Sequence, residues 1–424
     1  MAAGSLGLSI LHRTMRSEAG FIRVPSVANS LIFMGIVAAI TAILTGGIGG
    51  RVLGTESWGA KRYLGVFGTI IGYFAIVAQA VPKEKVVRYA SMFILSGVTA
   101  AFCDLIYFAG PKFFFLYALF PSNVAMSQVI TQGDLERLTG IAFAALSAWF
   151  YMLMRYGIRG IFDVRRPWRL AVFALLIALS LLGGYRSLLI IPILLLPVQF
   201  YFERLYRGRL IIPLSLMVCL AACGLAVFSN KLPLSVQRSL SFLPLKVDPS
   251  ARSDAQGSLE WRLQIWKVIA PEIPKYLLLG KGFTYSGTDY YLTEEAMRRG
   301  MYPRDVYEGA LIAGDYHHGV LTLLIPFGIW GMIGFIWFCW AALRVLYLNY
   351  RHGEEPLKLV NAFLLSAFVA RVVFYVFFYG QFELDFQLFV GITAVSISLN
   401  GGVRVRKGGE QGETALAIPN HALS

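Results

Sequence analysis

Arginine and histidine side chains stand where apolar segments of this chain meet polar ones, and these residue types bind anions and transfer protons. Arg186 follows Gly183 and Gly184 in a turn between two apolar runs. A guanidinium keeps its charge and is costly to bury, so this position predicts an anion ligand. An arginine that caps the turn or reaches for the membrane surface is the other interpretation, and both stay open.

The longest polar stretch, residues 230–316, has 87 residues, of which 21 are charged. Arg262 lies in it beside apolar residues, including Leu263 and Trp266, whose spacing predicts a half-buried helix with these two on its buried face. Arg262 then lies on the flank of that face. We expect it to bind an anion at the rim of a cleft or to pair with Glu260 or lipid headgroups.

Two more cations of this stretch are predicted substrate ligands. Arg238 lies in the proline-bounded segment 232–244, which predicts a short amphipathic helix at the membrane surface with Arg238 exposed. Lys281 stands between Gly280 and Gly282, in a turn that lets the backbone approach an anionic group closely. This spacing does not match a P-loop.

His317 and His318 begin an apolar run just after Asp315. A neutral imidazole at a membrane rim can take a proton from a hydroxyl group. Adjacent residues of a helix point about 100° apart, so only one of the two aims into a given cleft. Either could be the base, and the other is a candidate substrate ligand; an interfacial histidine without a chemical role is the plain alternative.

Four ionisable residues, Asp104, Arg371, Glu383 and Asp385, lie inside apolar runs or next to them. Arg371 and Asp104 are predicted to face the bundle interior or a water-filled path, and Arg371 is a further candidate substrate ligand. Glu383 and Asp385 are predicted to be solvated at an outer turn.

Five tyrosines of the polar stretch predict an interfacial belt or a surface on which sugars stack. They are Tyr285, Tyr290, Tyr291, Tyr302 and Tyr307.

Composition places the chain among multi-span membrane proteins. Its mean hydropathy is +0.63, and only 15% of its residues are charged, against about 25% in soluble domains. The net charge of +14 comes from basic clusters between apolar runs, which indicates membrane orientation and excludes nucleic acid as the partner. The four cysteines fall in apolar runs without companion ligands, so we expect neither a disulfide nor a metal site.

The predicted fold is all-α: a polytopic membrane bundle of ten to twelve transmembrane helices with one large extracytoplasmic loop that contains short helices. Residues 113–120 are too short to cross the membrane alone. The ten segments are 31–47, 63–82, 89–109, 138–154, 168–184, 187–202, 210–229, 318–342, 359–380 and 384–400.

Basic residues of the short loops set the orientation, because they resist translocation. With the N-terminus inside, 20 of them lie on the cytoplasmic side and 6 on the outer side. The predicted domains are therefore an N-terminal transmembrane bundle at 1–229, a periplasmic loop at 230–316, C-terminal transmembrane helices at 317–400 and a disordered cytoplasmic tail at 401–424.

Four motifs resemble the O-antigen ligase family, which also includes Wzy-type polymerases and protein O-oligosaccharyltransferases. They are Arg186 after its glycine turn, Trp261-Arg262 followed by Trp266, Leu279 to Gly282, and His317 eleven residues before the sequence Gly328-Ile329-Trp330-Gly331. The resemblance covers about residues 170–345. In the family an asparagine usually follows the histidine, and His318 occupies that place here.

This resemblance implies transfer of a glycan from undecaprenyl diphosphate to an acceptor at the periplasmic face of a bacterial inner membrane, without metal or other cofactor. The acceptor implied is the lipid A core oligosaccharide. Arg186 and Arg262 would neutralise the diphosphate, and His317 would be the base of an inverting displacement. A Wzy-type polymerase and a transporter of lipid-linked sugars are the alternatives. If the mechanism is correct, these three residues converge on one cleft.

Overall fold

The computed structural model describes residues 22–45, 57–58, 60–120, 137–208, 211–283, 285–286, 314 and 316–405. Apart from one pair of two-residue strands, its regular elements over these residues are helices, which confirms the all-α prediction. Tyr290, Tyr291, Tyr302 and Tyr307, and most of the predicted tail, lie outside the described residues.

Helices occupy each of the ten predicted apolar segments, because an apolar segment in lipid must satisfy its backbone hydrogen bonds internally. The third segment is two helices joined by a 3-10 turn. In order they are α1 (Pro25–Leu44), α2 (Ala60–Val77), α3 (Val86–Leu95), α4 (Ala101–Ala109), α5 (Thr139–Ile161), α6 (Trp168–Leu181), α7 (Ser187–Phe202), α8 (Ile211–Phe228), then α12 (Gly319–His352), α13 (Lys358–Phe377) and α14 (Phe382–Asn400).

Between α8 and α12, the polar stretch forms three helices: α9 (Leu234–Leu240), α10 (Pro249–Ile269) and α11 (Ile273–Tyr276). Strand β2 (Tyr285–Ser286) pairs antiparallel with β1 (Ser57–Trp58). The segment 113–120 forms a 3-10 turn, Pro111–Ala118. The large loop therefore contains short helices, as predicted, and one longer helix.

Seven helical segments of the described residues are long and apolar enough to cross a membrane, whereas α6 and α7 are shorter apolar helices. The seven are Pro25–Leu44, Ala60–Val77, Lys83–Ala109, Thr139–Ile161, Gly319–His352, Glu355–Phe377 and Phe382–Asn400. The protein is thus a multi-pass membrane protein. The side of the membrane on which each loop lies stays a prediction.

The chain forms two compact units. The first consists of Met1–Val86, Leu263–Asn361 and Tyr375–Ser424, and the second of Val87–Arg262 and Ala362–Phe374. In the first unit α1 packs on α12, α2 on α14, and α12 on α14. In the second unit α5 packs against α4 and α6.

Aromatic rings fill the core of the first unit. Phe327 lies 5.1 Å from Phe283 and 5.6 Å from Phe382 between ring centroids, and Phe335 lies 5.3 Å from Tyr375. These rings come from the polar loop as well as from α12, α13 and α14. The loop segment around Phe283 is therefore part of the packed core.

Helix α12 kinks at Gly328, whose φ of +61° breaks its hydrogen-bond ladder after Pro326. The loop residues 277–282 pair with the groups that the kink releases. Lys281 N donates to Ile325 O at 2.7 Å, Gly282 N donates to Pro326 O at 2.9 Å, and Ile329 N donates to Leu277 O at 2.7 Å. We call this pairing the kink lock.

Candidate functional site

The turn between α6 and α7 positions Arg186 at the N-cap of α7. Gly184 has φ +67°, a conformation that favours glycine, and its N–H donates to Leu181 O at 3.1 Å. The half-buried Arg186 then extends toward α10, where its Nη2 donates to Ala255 O at 2.6 Å. The glycine turn therefore aims this guanidinium at a helix of the polar loop.

A carboxylate holds two more arginines beside this turn. Asp254 Oδ2 accepts a hydrogen bond from Arg137 Nη2 at 3.2 Å and one from Arg238 Nε. Arg238 also donates through Nη1 to Gly184 O. Arg137 lies over the ring of Tyr185, with its Cζ 5.7 Å from the centroid. Residues far apart in the sequence thus meet around Asp254.

The electrostatics of this cluster are dominated by positive charge. Burial lowers the pKa of Arg186, and the positive charges of Arg262 and Arg238 lower it further, while Asp254 acts in the opposite direction. Burial and then Arg238 also lower the pKa of Arg137. A guanidinium stays protonated under all these conditions, so the mutual repulsion is retained, and an anionic ligand would relieve it.

Arg262 lies on α10, at the last position of the first of the two segments of the second unit, and is half-buried. The helix is longer than its apolar pattern predicts, and its buried face contains Ala251, Ala255 and Ile265. The prediction that Leu263 lies on this face is wrong, since Leu263 is 50% exposed. Small alanines form much of the contact, so hydrophobicity alone did not reveal it.

Two other predictions about exposure are wrong. Arg238 is buried, because α9 turns most of its residues inward and Asp254 compensates the charge. Asp385 is buried as well, and its carboxylate accepts from Gln381 N at 2.8 Å at the start of α14. Glu383 is mostly buried and pairs with Arg62 at 3.7 Å.

The two adjacent histidines differ in their surroundings. His317 has φ +50°, rare for a residue other than glycine, and its ring lies edge-on to Tyr379 at 5.4 Å. His318 is the N-cap of α12, where its Nδ1 accepts from Leu321 N at 3.5 Å. Burial lowers the pKa of His318. His318 therefore caps α12.

Trp266 supports this histidine pair within the first unit. Its Nε1 donates to Tyr316 O at 2.8 Å, and its ring lies edge-on to His318 at 5.1 Å. On the other side, Tyr375 donates its hydroxyl to Gly319 O at 2.5 Å. The backbone on both sides of His317 is thus held by aromatic residues of α10 and α13.

Lys281 serves the kink lock through its backbone N–H, and its side chain is half-buried. The two glycines beside it are required by packing. A Cβ at Gly280 would lie 2.2 Å from Pro326 O, and one at Gly282 would lie 2.4 Å from Thr45 Oγ1. The glycines in this motif are therefore explained by docking onto α12, and anion binding by Lys281 stays a prediction.

Arg371 belongs to the second unit, where its Cζ lies 5.1 Å from the ring of Phe374. Asp104 is fully buried, and its Oδ2 accepts from Ile141 N at 2.8 Å. Asp104 therefore faces the bundle interior as predicted, joining α4 to α5. A role of Arg371 in binding substrate stays a prediction.

Of the predicted site residues, the second unit brings together Arg186, Arg238 and Arg262, whereas His317, His318 and Lys281 belong to the first unit. The predicted convergence of His317 with the arginines thus joins residues of both units and stays a prediction. Sequence reasoning missed Arg137 and Asp254. The only signal in the sequence is the position of Arg137 just before an apolar run, where it is one of the six basic residues predicted on the outer side.

Over the residues that the structure describes, no group of three or more histidine, cysteine, aspartate or glutamate side chains could hold a metal ion. The described cysteines are all free, and Cys219 and Cys223 on α8 are exposed rather than packed in the core. The predicted site residues of the second unit offer guanidinium nitrogens, which suit an anionic substrate.

Comparison with known proteins identifies the segment that carries these residues. Residues 170–336 match the O-antigen ligase family, a range that includes Arg186, Arg262 and His317. Among curated proteins, none matches the chain. The match supports a glycosyltransferase-like membrane enzyme. Residues 170–336 are therefore an O-antigen ligase domain, and this match supports an O-antigen ligase family assignment.

Proposed function

We propose that the protein transfers a glycan from undecaprenyl diphosphate to a hydroxyl group of an acceptor, the lipid A core oligosaccharide, at the periplasmic face of the inner membrane. The observation that carries this proposal is the cationic cluster of the second unit. Arg137 and Arg238 donate to Asp254 there, Arg186 donates to the neighbouring Ala255 O, and the positive charge of Arg262 lowers the pKa of Arg186. A diphosphate supplies the negative charge that such a cluster lacks.

In the proposed reaction, the acceptor oxygen forms a bond to the anomeric carbon as the bond from that carbon to the phosphate oxygen breaks. The electron pair leaves with undecaprenyl diphosphate, and Arg186 and Arg262 neutralise the developing charge. His317 takes the proton of the acceptor hydroxyl. One displacement inverts the anomeric carbon. No metal ion takes part in this mechanism.

The backbone of His317 supports its choice as the base. A left-handed conformation at a residue other than glycine costs free energy, and such residues cluster at active sites. His317 is one of two residues of this kind in the described part of the chain, the other being Arg204. His318 is engaged in the cap of α12, so its substitution should act on stability first.

Reconstitution of the full chain in liposomes with undecaprenyl diphosphate glycan tests the proposal. We expect product with lipid A core as acceptor, at a rate that a chelator does not change. Arg186→Ala and Arg262→Ala should each lower the rate about 100-fold or more, the usual cost of one lost oxyanion donor. Arg252→Ala is the control, since Arg252 is an exposed arginine of the same α10.

Three results would contradict parts of this proposal. Full activity of both Arg186→Ala and Arg262→Ala would show that the diphosphate does not bind at the cationic cluster. Loss of activity on chelation would refute the metal-free mechanism. Extension of a lipid-linked glycan, with lipid A core left unmodified, would identify a polymerase instead of a ligase.

A further inference from the structure

Asp254 and the two buried arginines that it joins, Arg137 and Arg238, are charged groups that the proposed mechanism does not use directly. The side chains of Arg137 and Arg238 are only 11% and 8% exposed, whereas that of Asp254 is 38% exposed. The carboxylate is therefore the part of this group that faces open space. The two guanidinium groups lie behind it.

Arg238 binds two separate groups through different nitrogens of its guanidinium. Its Nε donates to Asp254 and its Nη1 donates to Gly184 O. Gly184 stands in the positive-φ turn two residues before Arg186, and the side-chain carbons of Arg137 lie 3.6 Å from the position of a Cβ there. Arg238 and Arg137 thus contact the turn that orients Arg186.

These contacts form a closed path. It runs from Asp254 on α10 through Arg238 to the Gly184 turn, along the backbone to Arg186, and back to α10 at Ala255 O, which accepts from Arg186 Nη2 at 2.6 Å. The direction of the Arg186 side chain is set at both of its ends by α10. Losing either contact of Arg238 would break the link between α10 and the Gly184 turn, which holds the backbone of Arg186.

We propose that Arg238, Asp254 and Arg137 form a positioning assembly that fixes the Arg186 guanidinium through the Gly184 turn, and that Arg238 does not itself touch the substrate. This inference rests on the proposed function. It replaces a direct substrate contact of Arg238, expected from its charge, with an indirect role that follows from its burial. Asp254 is the carboxylate that keeps two buried cations beside a cationic site.

The substitution Arg238→Lys separates the two roles. Lysine keeps the charge but presents one ammonium group instead of a planar fork, so it does not reproduce the two bonds that Nε and Nη1 make to Asp254 and Gly184 O. Misplacing a catalytic group costs on the order of 10- to 100-fold in rate. We therefore expect kcat to fall by that factor, with the donor KM changed less than about threefold. Arg252→Lys, on the exposed face of α10, should leave both constants unchanged.

Asp254→Asn is the second variant, because it keeps an acceptor oxygen and removes the charge. We expect the same loss of kcat. If Arg238 bound the diphosphate directly, Asp254→Asn would free it, and the donor KM would fall with kcat retained. That outcome, or a kcat of Arg238→Lys within threefold of the wild type, overturns the inference.

Thermal unfolding in detergent shows whether either variant is folded. If Arg238→Lys does not accumulate as folded protein, the kcat of Asp254→Asn decides. Failure of the positioning role can be told apart from failure of the proposed function. If the proposed function were wrong, the wild-type protein would not use undecaprenyl diphosphate glycan, or Arg186→Ala would keep the wild-type rate.

Discussion

Substitutions of the adjacent His317 and His318 should separate activity from stability. His318 contributes an N-cap bond to Leu321 N and a ring contact with Trp266. A cap is worth about 1 kcal/mol, and an aromatic edge contact about 0.5–1.5 kcal/mol. His318→Ala should thus lower the free energy of unfolding by about 2 kcal/mol. The 3.5 Å distance of the cap bond is long, so the cap should contribute less than a bond of ordinary length.

His318→Asn should cost less, because asparagine is among the best N-cap residues and its shorter side chain forms the same bond. Only the contact with Trp266 is lost. This also gives a physical reason for the asparagine usual in the family at this position: it would cap the helix. The rate of glycan transfer by His318→Asn should stay within about threefold of wild type, since a cap contributes to folding and not to the transition state.

The pH dependence of stability provides a second readout. Burial lowers the pKa of His318 in the folded state, and protonation at Nδ1 would remove the acceptor of the cap. A lowered folded pKa means that the unfolded chain binds the proton more readily. The stability is therefore present above the unfolded pKa of about 6.5 and is lost as the pH falls below it. His318→Asn should flatten that part of the stability curve.

His317→Asn should lower the rate of glycan transfer and leave the free energy of unfolding almost unchanged. Asparagine tolerates the left-handed backbone that His317 adopts, so folding should change little. Loss of a general base typically costs 10²- to 10⁴-fold in rate, roughly 3–5 kcal/mol of barrier. Unfolding in detergent and glycan transfer in liposomes measure both quantities. If His318→Ala lost as much rate as His317→Asn without loss of stability, the assignment of base and cap would be refuted.

Further predictions concern the packing that supports the site. Gly280→Ala should destabilise the protein by about 4 kcal/mol, because three backbone hydrogen bonds of about 1 kcal/mol each and a left-handed penalty of about 1 kcal/mol are affected. Gly72→Ala, where a Cβ meets nothing within 4 Å, is the control, and equal unfolding of both variants would contradict the lock. Asn361→Leu should cost about 2–3 kcal/mol, because Asn349 O and Asn400 Oδ1 lose their buried donor. An unfolding curve unchanged from wild type would show that this amide network adds nothing.

The spans were predictable because lipid imposes one requirement on every apolar segment: its backbone must bond to itself. Helix ends were less predictable. Helix α12 runs to His352, well beyond the predicted end at 342, because apolar residues continue past Arg344 and two of them, Val345 and Leu346, are buried. Long cationic side chains such as Arg344 and Arg351 can accompany a helix out of the membrane. Hydropathy indicates whether a segment prefers lipid or water, but it does not locate the residue at which the helix ends.

The site was predictable only one residue at a time. Arg186 and Arg262 could be selected, because a cation beside a glycine turn or an apolar helix face is unusual. Asp254 could not, since a single aspartate in a polar loop has no pattern of its own. Its importance comes from Arg137 and Arg238, which reach it only after α5, α9 and α10 have packed. Burial of Arg238 likewise depends on a partner that local sequence does not display.

The kink lock links membrane insertion to the fate of the polar loop. Helix α12 on its own would enter lipid with the carbonyls of Ile325 and Pro326 and the N–H of Ile329 unsatisfied, and each such group costs several kcal/mol in hydrocarbon. Residues 277–282 supply the missing partners. The kinked form of α12 is therefore stable in lipid only with the loop docked, so the packing of α12 in the bundle depends on the loop that leads to the predicted acceptor base.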